Sequence, residues 1–374
     1  MGVDFSTDVL AHILVLLPPS SRRQCRLVCK HWRYAVDERT HERFVRTKIL
    51  AVVKAHDRAS AFVVDEARGV LGGHLRRVWT GPLSANVIGT RNGLICVLDD
   101  ATGAITVSNP HMREAAVTVP PAPRAAGLSP CSPAVRAHEA YGFGFHPLTL
   151  RYTVVHVPCY FNKSGTFDAV QVYTLGPSGG ASWREVPTPG ASGRCQQGGV
   201  VCVDGSAYWI TRGARETILS LDLEDWRVAP VKWLPGTLEQ VCSYRLTEMR
   251  ARLCVAVTVG APPTTRVEVW CLENTKEQQW ARRYNIQIDT AKQQVTWPLF
   301  AHGEHALTMA QEFHGYSLRK HKMSGKRSLM CSMARVWKKR PGAEIMRYEV
   351  RKKFEITTFA YMETPEELLE SYTT

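Results

Sequence analysis

The segments VQVYTL at residues 170–175, ILSLDL at 218–223 and VEVWCL at 267–272 decide the fold class, because they share one plan. Each is an apolar stretch that ends in a leucine, and a loop and a tryptophan follow it. The three tryptophans are Trp183, Trp226 and Trp280. The leucines are 48 and 49 residues apart, so the segments form a weak internal repeat.

The rest of the chain from about residue 50 shows a similar pattern of short strand-like runs. Short apolar runs alternate with turns, and the turn dipeptides Asn92-Gly93 and Asp204-Gly205 each lead into a strand-like run. No long helical pattern appears between residues 92 and 285. A period near 50 residues, with several short strands in each repeat, is typical of kelch-like β-propellers. The sequence therefore predicts an all-β propeller.

The length of this region predicts the number of blades. Residues 51–362 number 312, and dividing them by the repeat period gives about 6.4. We predict six blades, with seven as the alternative. The stretch 120–140 is rich in proline and alanine, and we expect it to be a long loop.

The first fifty residues read as helical. In residues 9–17 apolar side chains recur at three- and four-residue spacing, Ser6 or Thr7 can cap the helix, and Pro18 ends it. A second apolar pattern runs from Cys25 to Val36 across a bend. A unit of about forty residues rarely buries enough surface to be stable alone. Its apolar residues either bind a partner or pack against the β region, and patterning alone leaves both open.

Two motifs in this segment resemble an F-box. FSTDVLAHILVLLP at 5–18 is similar to its opening, and RLVCKHWR at 26–33 is similar to its second half. Ser6 and His12 depart from the usual proline and acidic residue, but neither change removes an apolar contact. The resemblance covers residues 4–45 and implies a small N-terminal three-helix domain that binds a Skp-type adaptor, which bridges to a cullin scaffold.

The resemblance also implies which residues face the adaptor or form the core of the F-box. Carried over by position, they are Leu10, Ile13, Leu14, Leu17, Pro18, Leu27, Val28, Cys29 and Trp32. Trp32 is expected inside the F-box rather than in direct contact.

The β region resembles the F-box-associated domains of plant F-box proteins. The motifs are NGLIC at 92–96 with Asn109-Pro110, YGFGFHP at 141–147 with YTVV at 152–155, VYTL at 172–175 with SWR at 182–184, and GSAYW at 205–209. His146 and Thr153 depart from the usual residues. The likeness is clear from about residue 90 to 235. It implies an α+β multidomain chain, with the F-box followed by a substrate-binding propeller over residues 50–365.

Composition limits the other functions. Eleven cysteines show no C-x-x-C spacing, which favours reduced thiols in an intracellular protein of the cytoplasm or nucleus. No apolar run approaches the roughly 18 residues that span a bilayer, so no membrane partner is expected. His302 and His305 fit no zinc pattern, and no catalytic motif stands out. We expect no cofactor, no metal and no enzymatic activity.

The net charge is +13, and residues 313–353 contribute +11 of it. The basic clusters lie at 319–322, 326–327 and 338–340. They are a solvated face, a nuclear-import or acidic-target patch, or a nucleic-acid site.

Three hypotheses follow from these observations. The first is the substrate-recognition subunit of a Skp–cullin–F-box ubiquitin ligase, which links an unknown protein target to the ligase and makes nucleic acid an unexpected partner. The alternative is a basic propeller with a vestigial F-box that binds nucleic acid or an acidic protein. The third is a propeller enzyme.

Overall fold

The structure is a computed structural model that describes most of the β region and parts of the N-terminal segment. The residues described are 6–16, 25, 28–36, 48–55, 57–65, 74–112, 116–123, 129–130, 140–147, 149–158, 160–161, 167–176, 182–192, 194–195, 199–212, 216–235, 241–249, 252–260, 264–274, 277–289, 296–302, 305–309, 313–317 and 355–361.

The elements follow in chain order. The helices are α1 (Thr7–Leu16) and α2 (Lys30–Tyr34). The first strands are β1 (Lys48–Ala55), β2 (Arg58–Asp65), β3 (His74–Pro82), β4 (Ala85–Arg91), β5 (Leu94–Asp99), β6 (Ile105–Ser108), β7 (Val117–Val119), β8 (Ser129–Pro130) and β9 (Tyr141–His146). The next are β10 (Arg151–His156), β11 (Tyr160–Phe161), β12 (Phe167–Leu175), β13 (Arg184–Ser192), β14 (Arg194–Cys195), β15 (Val201–Val203), β16 (Ser206–Arg212), β17 (Glu216–Asp222) and β18 (Val228–Val231). The last are β19 (Val241–Met249), β20 (Arg252–Val259), β21 (Thr264–Asn274), β22 (Gln279–Asp289), β23 (Thr296–His302), β24 (His305–Met309), β25 (Phe313–Ser317) and β26 (Glu355–Tyr361).

These strands form antiparallel sheets that act as propeller blades. Blade 1 has the order β26-β1-β2-β3, blade 2 has β4 to β7, and blade 3 has β9, β10, β12 and β13. Blade 4 has five strands, β14 to β18, and blade 5 has β19 to β22. A three-stranded sheet, β23 to β25, and a two-stranded ribbon of β8 and β11 complete the set. The predicted all-β propeller is confirmed.

The predicted blade number is wrong. The described residues form five blades of four or more strands, not six or seven, beside the three-stranded sheet. The estimate assumed that every residue between 51 and 362 belongs to a blade. Residues 120–140, however, contain only strand β8 among those described, and the structure describes none of residues 318–354.

The inner strands contact one another in a closed ring. Strand β4 contacts β9, β9 contacts β15, β15 contacts β19, and β23 contacts both β19 and β26, which returns to β4. Blade 1 closes this ring because β26 pairs with β1 in antiparallel register, with Leu50 opposite Phe359. Tyr361 at the end of β26 is buried, and its hydroxyl donates a hydrogen bond to the carbonyl of Gly93 in blade 2 at 3.3 Å.

The core is a series of apolar layers between neighbouring blades. Consecutive side chains of a strand point to opposite faces of its sheet, and a blade between two others buries both faces. Thus Val154 packs with residues of blade 2, whereas Val155 packs with residues of blade 4. This is why these strands read as continuous apolar runs rather than as alternating ones.

The tryptophans of the sequence repeat connect each blade to the one before it. The Trp183 indole donates a hydrogen bond to the carbonyl of Pro120 at 2.9 Å, and that of Trp280 donates to the carbonyl of Lys232 at 2.7 Å. The guanidinium of Arg184, in blade 3, lies 5.8 Å from the ring centroid of Trp226, in blade 4. The tryptophan of each repeat therefore marks a position that contacts a neighbouring blade.

The expectation that all cysteines are reduced is wrong for one pair. Cys254 on β20 and Cys271 on β21 are directly opposite in the strand register and form a disulfide. The search for C-x-x-C spacing missed them because strand pairing, not proximity in sequence, brings residues 17 apart together. Cys25, Cys29, Cys96 and Cys202 are free thiols.

The N-terminal segment is helical where it is described. Ser6 caps α1, since its hydroxyl accepts a hydrogen bond from the amide of Val9 at 3.4 Å. Residues 17–24 and 26–27 lie outside the described residues, so the three-helix count stays a prediction. Among the helices that the structure describes, none is long and apolar enough to cross a membrane.

Candidate functional site

The helical segment buries a small core of its own. Leu10 and Leu14 on α1 are fully buried against Ala35, and Cys25, Trp32 and Val36 pack on this cluster. A 3.0 Å hydrogen bond between Thr7 Oγ1 and His31 Nε2 also joins the two helices. Leu10, Leu14 and Trp32 therefore support the fold of this segment.

A second set of apolar side chains in the same segment is exposed. Ile13 is 39% exposed and Val28 is 62% exposed, and Cys29 beside Val28 is exposed as well. Val9 and Tyr34, which the sequence reasoning did not select, are also exposed, at 49% and 53%. Val9 lies one helical turn before Ile13, and this i, i+4 spacing is the sequence signal that could have found it.

The nine residues selected from the sequence thus divide into three groups. Leu10, Leu14 and Trp32 are in the small core, and Ile13, Val28 and Cys29 are outside it. Leu17, Pro18 and Leu27 lie outside the described residues. Several exposed apolar residues on so small a unit are typical of an interaction surface.

The centre of the propeller holds an ion pair that the sequence did not predict. Arg91 ends β4 and Glu248 lies near the end of β19, and two inner strands separate β4 from β19 in either direction around the ring. Arg91 NH1 lies 2.7 Å from Glu248 Oε2, and both side chains are about one quarter exposed. The pair therefore spans the ring of inner strands.

Burial and the partner charge act in opposite directions on Arg91. Burial has the largest single effect and favours the neutral form, but the charge and hydrogen bond of Glu248 together with Cys202 outweigh it, so the pKa of Arg91 is raised. Cys202 on β15 stands nearby, and burial raises the pKa of its thiol to about 12. Cys202 therefore stays protonated and unreactive at neutral pH, so it is not a candidate nucleophile.

The other candidate positions add no site. No group of three or more His, Cys, Asp or Glu side chains in the described part of the chain is placed to hold a metal. His302 and His305 are paired positions in the backbone register of β23 and β24. The three basic clusters, at 319–322, 326–327 and 338–340, lie outside the described residues.

Two family models match the chain. An F-box domain matches residues 4–42, and an F-box associated beta propeller domain matches residues 74–305. The predicted F-box with an F-box-associated domain is thereby confirmed. The second match covers more than half of the chain.

Curated relatives come from Arabidopsis thaliana. An F-box/kelch-repeat protein is 24% identical over 304 residues, which cover 78% of this chain and 69% of the relative. An F-box/LRR-repeat protein is 25% identical over 304 residues, which cover 77% and 68%. Among solved structures, a chain of a nidogen/laminin complex matches with a TM-score of 0.43 at 12% identity, over 76% of this chain and 95% of that one. The chain belongs to the family of the F-box associated beta propeller domain and carries an F-box before that domain.

Proposed function

We propose that this protein is the substrate-recognition subunit of a Skp–cullin–F-box ubiquitin ligase, working inside the cell in the cytoplasm or nucleus. The F-box, residues 4–45, binds a Skp-type adaptor and through it the cullin scaffold. The propeller, residues 50–365, binds a protein target. Members of F-box families generally serve as substrate adaptors rather than enzymes, and F-box protein relatives support this role here.

The observation that carries the proposal is the division of apolar residues in the helical segment. Leu10 and Leu14 are buried in the small core, whereas Ile13 and Val28 are exposed. Burying a large aliphatic side chain is worth roughly 1.5–3 kcal/mol, so a partner that covers both gains a substantial part of its affinity there. Interfaces depend on a few such anchors.

The chemistry of ubiquitin transfer belongs to a partner enzyme in this proposal. The receptor contributes proximity, because holding a target beside the ligase raises the effective concentration of the target's lysines. No catalytic side chain is required of the propeller.

The test is co-purification of the full chain with a Skp-type adaptor. The double variant Ile13→Asp with Val28→Asp places a charge at each of these exposed positions and should reduce adaptor binding by about a hundredfold or more, while the fold is kept. Leu10→Asp is unsuitable because it would place a charge in the small core. Leu83→Asp is the matched control, since Leu83 is a 44% exposed apolar residue of the propeller. Equal adaptor binding by the folded double variant and the wild type refutes the proposal.

The alternative function depends on the basic segment 313–353 and its charge of +11. A nucleic-acid-binding protein would be retained on nucleic acid with a steep dependence on salt, because binding releases counterions. Strong retention of this kind by a chain that fails to bind the adaptor would favour the alternative.

A further inference from the structure

Blade 5 holds a buried carboxylate shared by two arginines and a tryptophan. The Glu268 side chain is only 2% exposed. Its Oε1 accepts hydrogen bonds from Arg266 Nε at 3.0 Å and from Arg282 NH1 at 3.3 Å. The indole of Trp270 donates to the other oxygen, Oε2, at 3.2 Å. We call these four side chains the Glu268 cluster.

Strand geometry brings the cluster together. Arg266, Glu268 and Trp270 alternate along β21 and therefore share one face of the sheet. Arg282 is directly opposite Trp270 on β22. The intervening residues Val267 and Val269 are buried on the other face. The cluster thus stands on two paired strands, which fix its geometry better than a loop would.

The charges of the cluster do not cancel. Two guanidinium groups share one carboxylate, which leaves a surplus of one positive charge. Glu268 is buried, whereas the side chains of Arg266 and Arg282 are 49% and 50% exposed. The surplus charge therefore faces outward. Each guanidinium carries five N–H donors and gives one nitrogen to Glu268, so other N–H groups of both can reach a further acceptor.

The cluster is also held in place before any ligand arrives. The guanidinium carbon of Arg282 lies 5.9 Å from the centroid of the Trp270 ring, and the hydrogen bond from the Trp270 indole to Glu268 fixes that ring. Arginines that are already oriented lose less conformational entropy on binding. Their planar N–H pairs fit the oxygens of a carboxylate or phosphate.

We infer that Arg266 and Arg282, flanked by Trp270, form a binding site for an anionic group on the protein target, a carboxylate or a phosphate. The identity of the ligand as a protein target rests on the proposed function. The site adds to that function the chemistry of the bound segment. The propeller selects targets that carry an acidic segment.

The same sheet provides a matched control. Arg252 and Arg283 share the carboxylate of Glu273 at the other end of β21. Their side chains are 38% and 52% exposed. This second cluster has the same charges, but its glutamate is 23% exposed. Removing two arginines from either cluster changes the net charge of the protein equally.

The experiment measures binding of a fluorescein-labelled oligoglutamate peptide to the full chain by anisotropy, with a phosphoserine peptide as a second probe. Arg266→Gln with Arg282→Gln should weaken binding by about tenfold or more, while Arg252→Gln with Arg283→Gln changes it by less than about twofold. The peptide that binds with the higher affinity shows whether the site prefers a carboxylate or a phosphate. If the first double variant misfolds, the addition of Glu268→Gln removes the unpaired buried carboxylate and restores the test.

Three results overturn the inference: no peptide binding by the wild type, equal losses in both double variants, or tighter binding of a single-stranded oligonucleotide that depends on the same two arginines. Adaptor co-purification is measured on the same proteins. Peptide binding without adaptor binding refutes the proposed function but leaves the site in place. Adaptor binding without peptide binding refutes the anion-binding site but leaves the proposed function in place.

Discussion

His156 illustrates how burial sets the charge of a residue in this protein. The ring is 5% exposed and stacks on Tyr141 with a centroid distance of 4.2 Å. The amide nitrogen of Gln171 donates a hydrogen bond to the carbonyl of Pro123, so the amide oxygen of Gln171 accepts a hydrogen bond from His156 Nδ1 at 2.9 Å. Burial lowers the pKa of His156 from 6.5 to about 4, although the Gln171 hydrogen bond acts the other way.

The lowered pKa predicts a loss of stability in mild acid. Below pH 6.5 the unfolded chain takes up a proton at His156, but the folded chain does not until about pH 4. The free energy of unfolding should therefore fall as the pH falls, by about 2 kcal/mol from this group between pH 7 and pH 5. Urea titrations at the two pH values measure this change. His156→Gln should reduce the pH dependence, with the exposed His111→Gln as the control variant, and an unchanged dependence in the first variant contradicts the prediction.

Gly89 shows why some glycines of the propeller cannot be replaced. A Cβ at Gly89 would lie 2.7 Å from Cβ of Phe143 and 3.2 Å from its backbone nitrogen. Neither atom can move without shifting β9, because both belong to or adjoin the backbone. Gly89 therefore permits the close contact of blades 2 and 3.

The variant Gly89→Ala should lower the free energy of unfolding by about 1–3 kcal/mol through overpacking. Gly176→Ala is the control, because a Cβ there meets no atom within 4 Å. Chemical denaturation of both variants measures the difference. Equal stability of the two would show that the contact between β4 and β9 relaxes without cost.

At the scale of the element, local signals in the sequence were reliable. The predicted turns at Asn92-Gly93 and Asp204-Gly205 are present, with φ angles of 48° and 83° in the first and 45° and 79° in the second. Positive φ at both central residues is the reason that these dipeptides favour tight hairpins. The predicted strands of the repeat also formed, as β12, β17 and β21.

Contacts between distant elements could not be predicted. The strand β26 begins far beyond the last recognisable repeat at Trp280, and its pairing with β1 joins residues about 300 positions apart. The disulfide of Cys254 with Cys271 required the register of β20 and β21. In the helical segment, the resemblance selected the right kind of residues, but the division between buried Leu10 and exposed Ile13 required the helix packing itself.

At the scale of the whole molecule, the pair of Arg91 and Glu248 ties opposite sides of the ring together. Arg91→Leu should lower the free energy of unfolding by about 1–3 kcal/mol, since it leaves Glu248 partly buried without its partner. Adding Glu248→Leu should recover part of this loss. A double-mutant cycle in urea measures the coupling, and the pair of Arg252 and Glu273 should give a smaller value because Arg252 is more exposed. Additive effects in the first cycle would contradict the prediction.

The pairing of β26 with β1 has a consequence for biosynthesis. Blade 1 lacks its innermost strand until residue 361 has left the ribosome, so the growing polypeptide carries an open circle of sheets through most of its translation. The helical segment, by contrast, precedes every blade in the chain and emerges before them. An adaptor that binds this segment as proposed would thus engage the nascent chain before its propeller is complete.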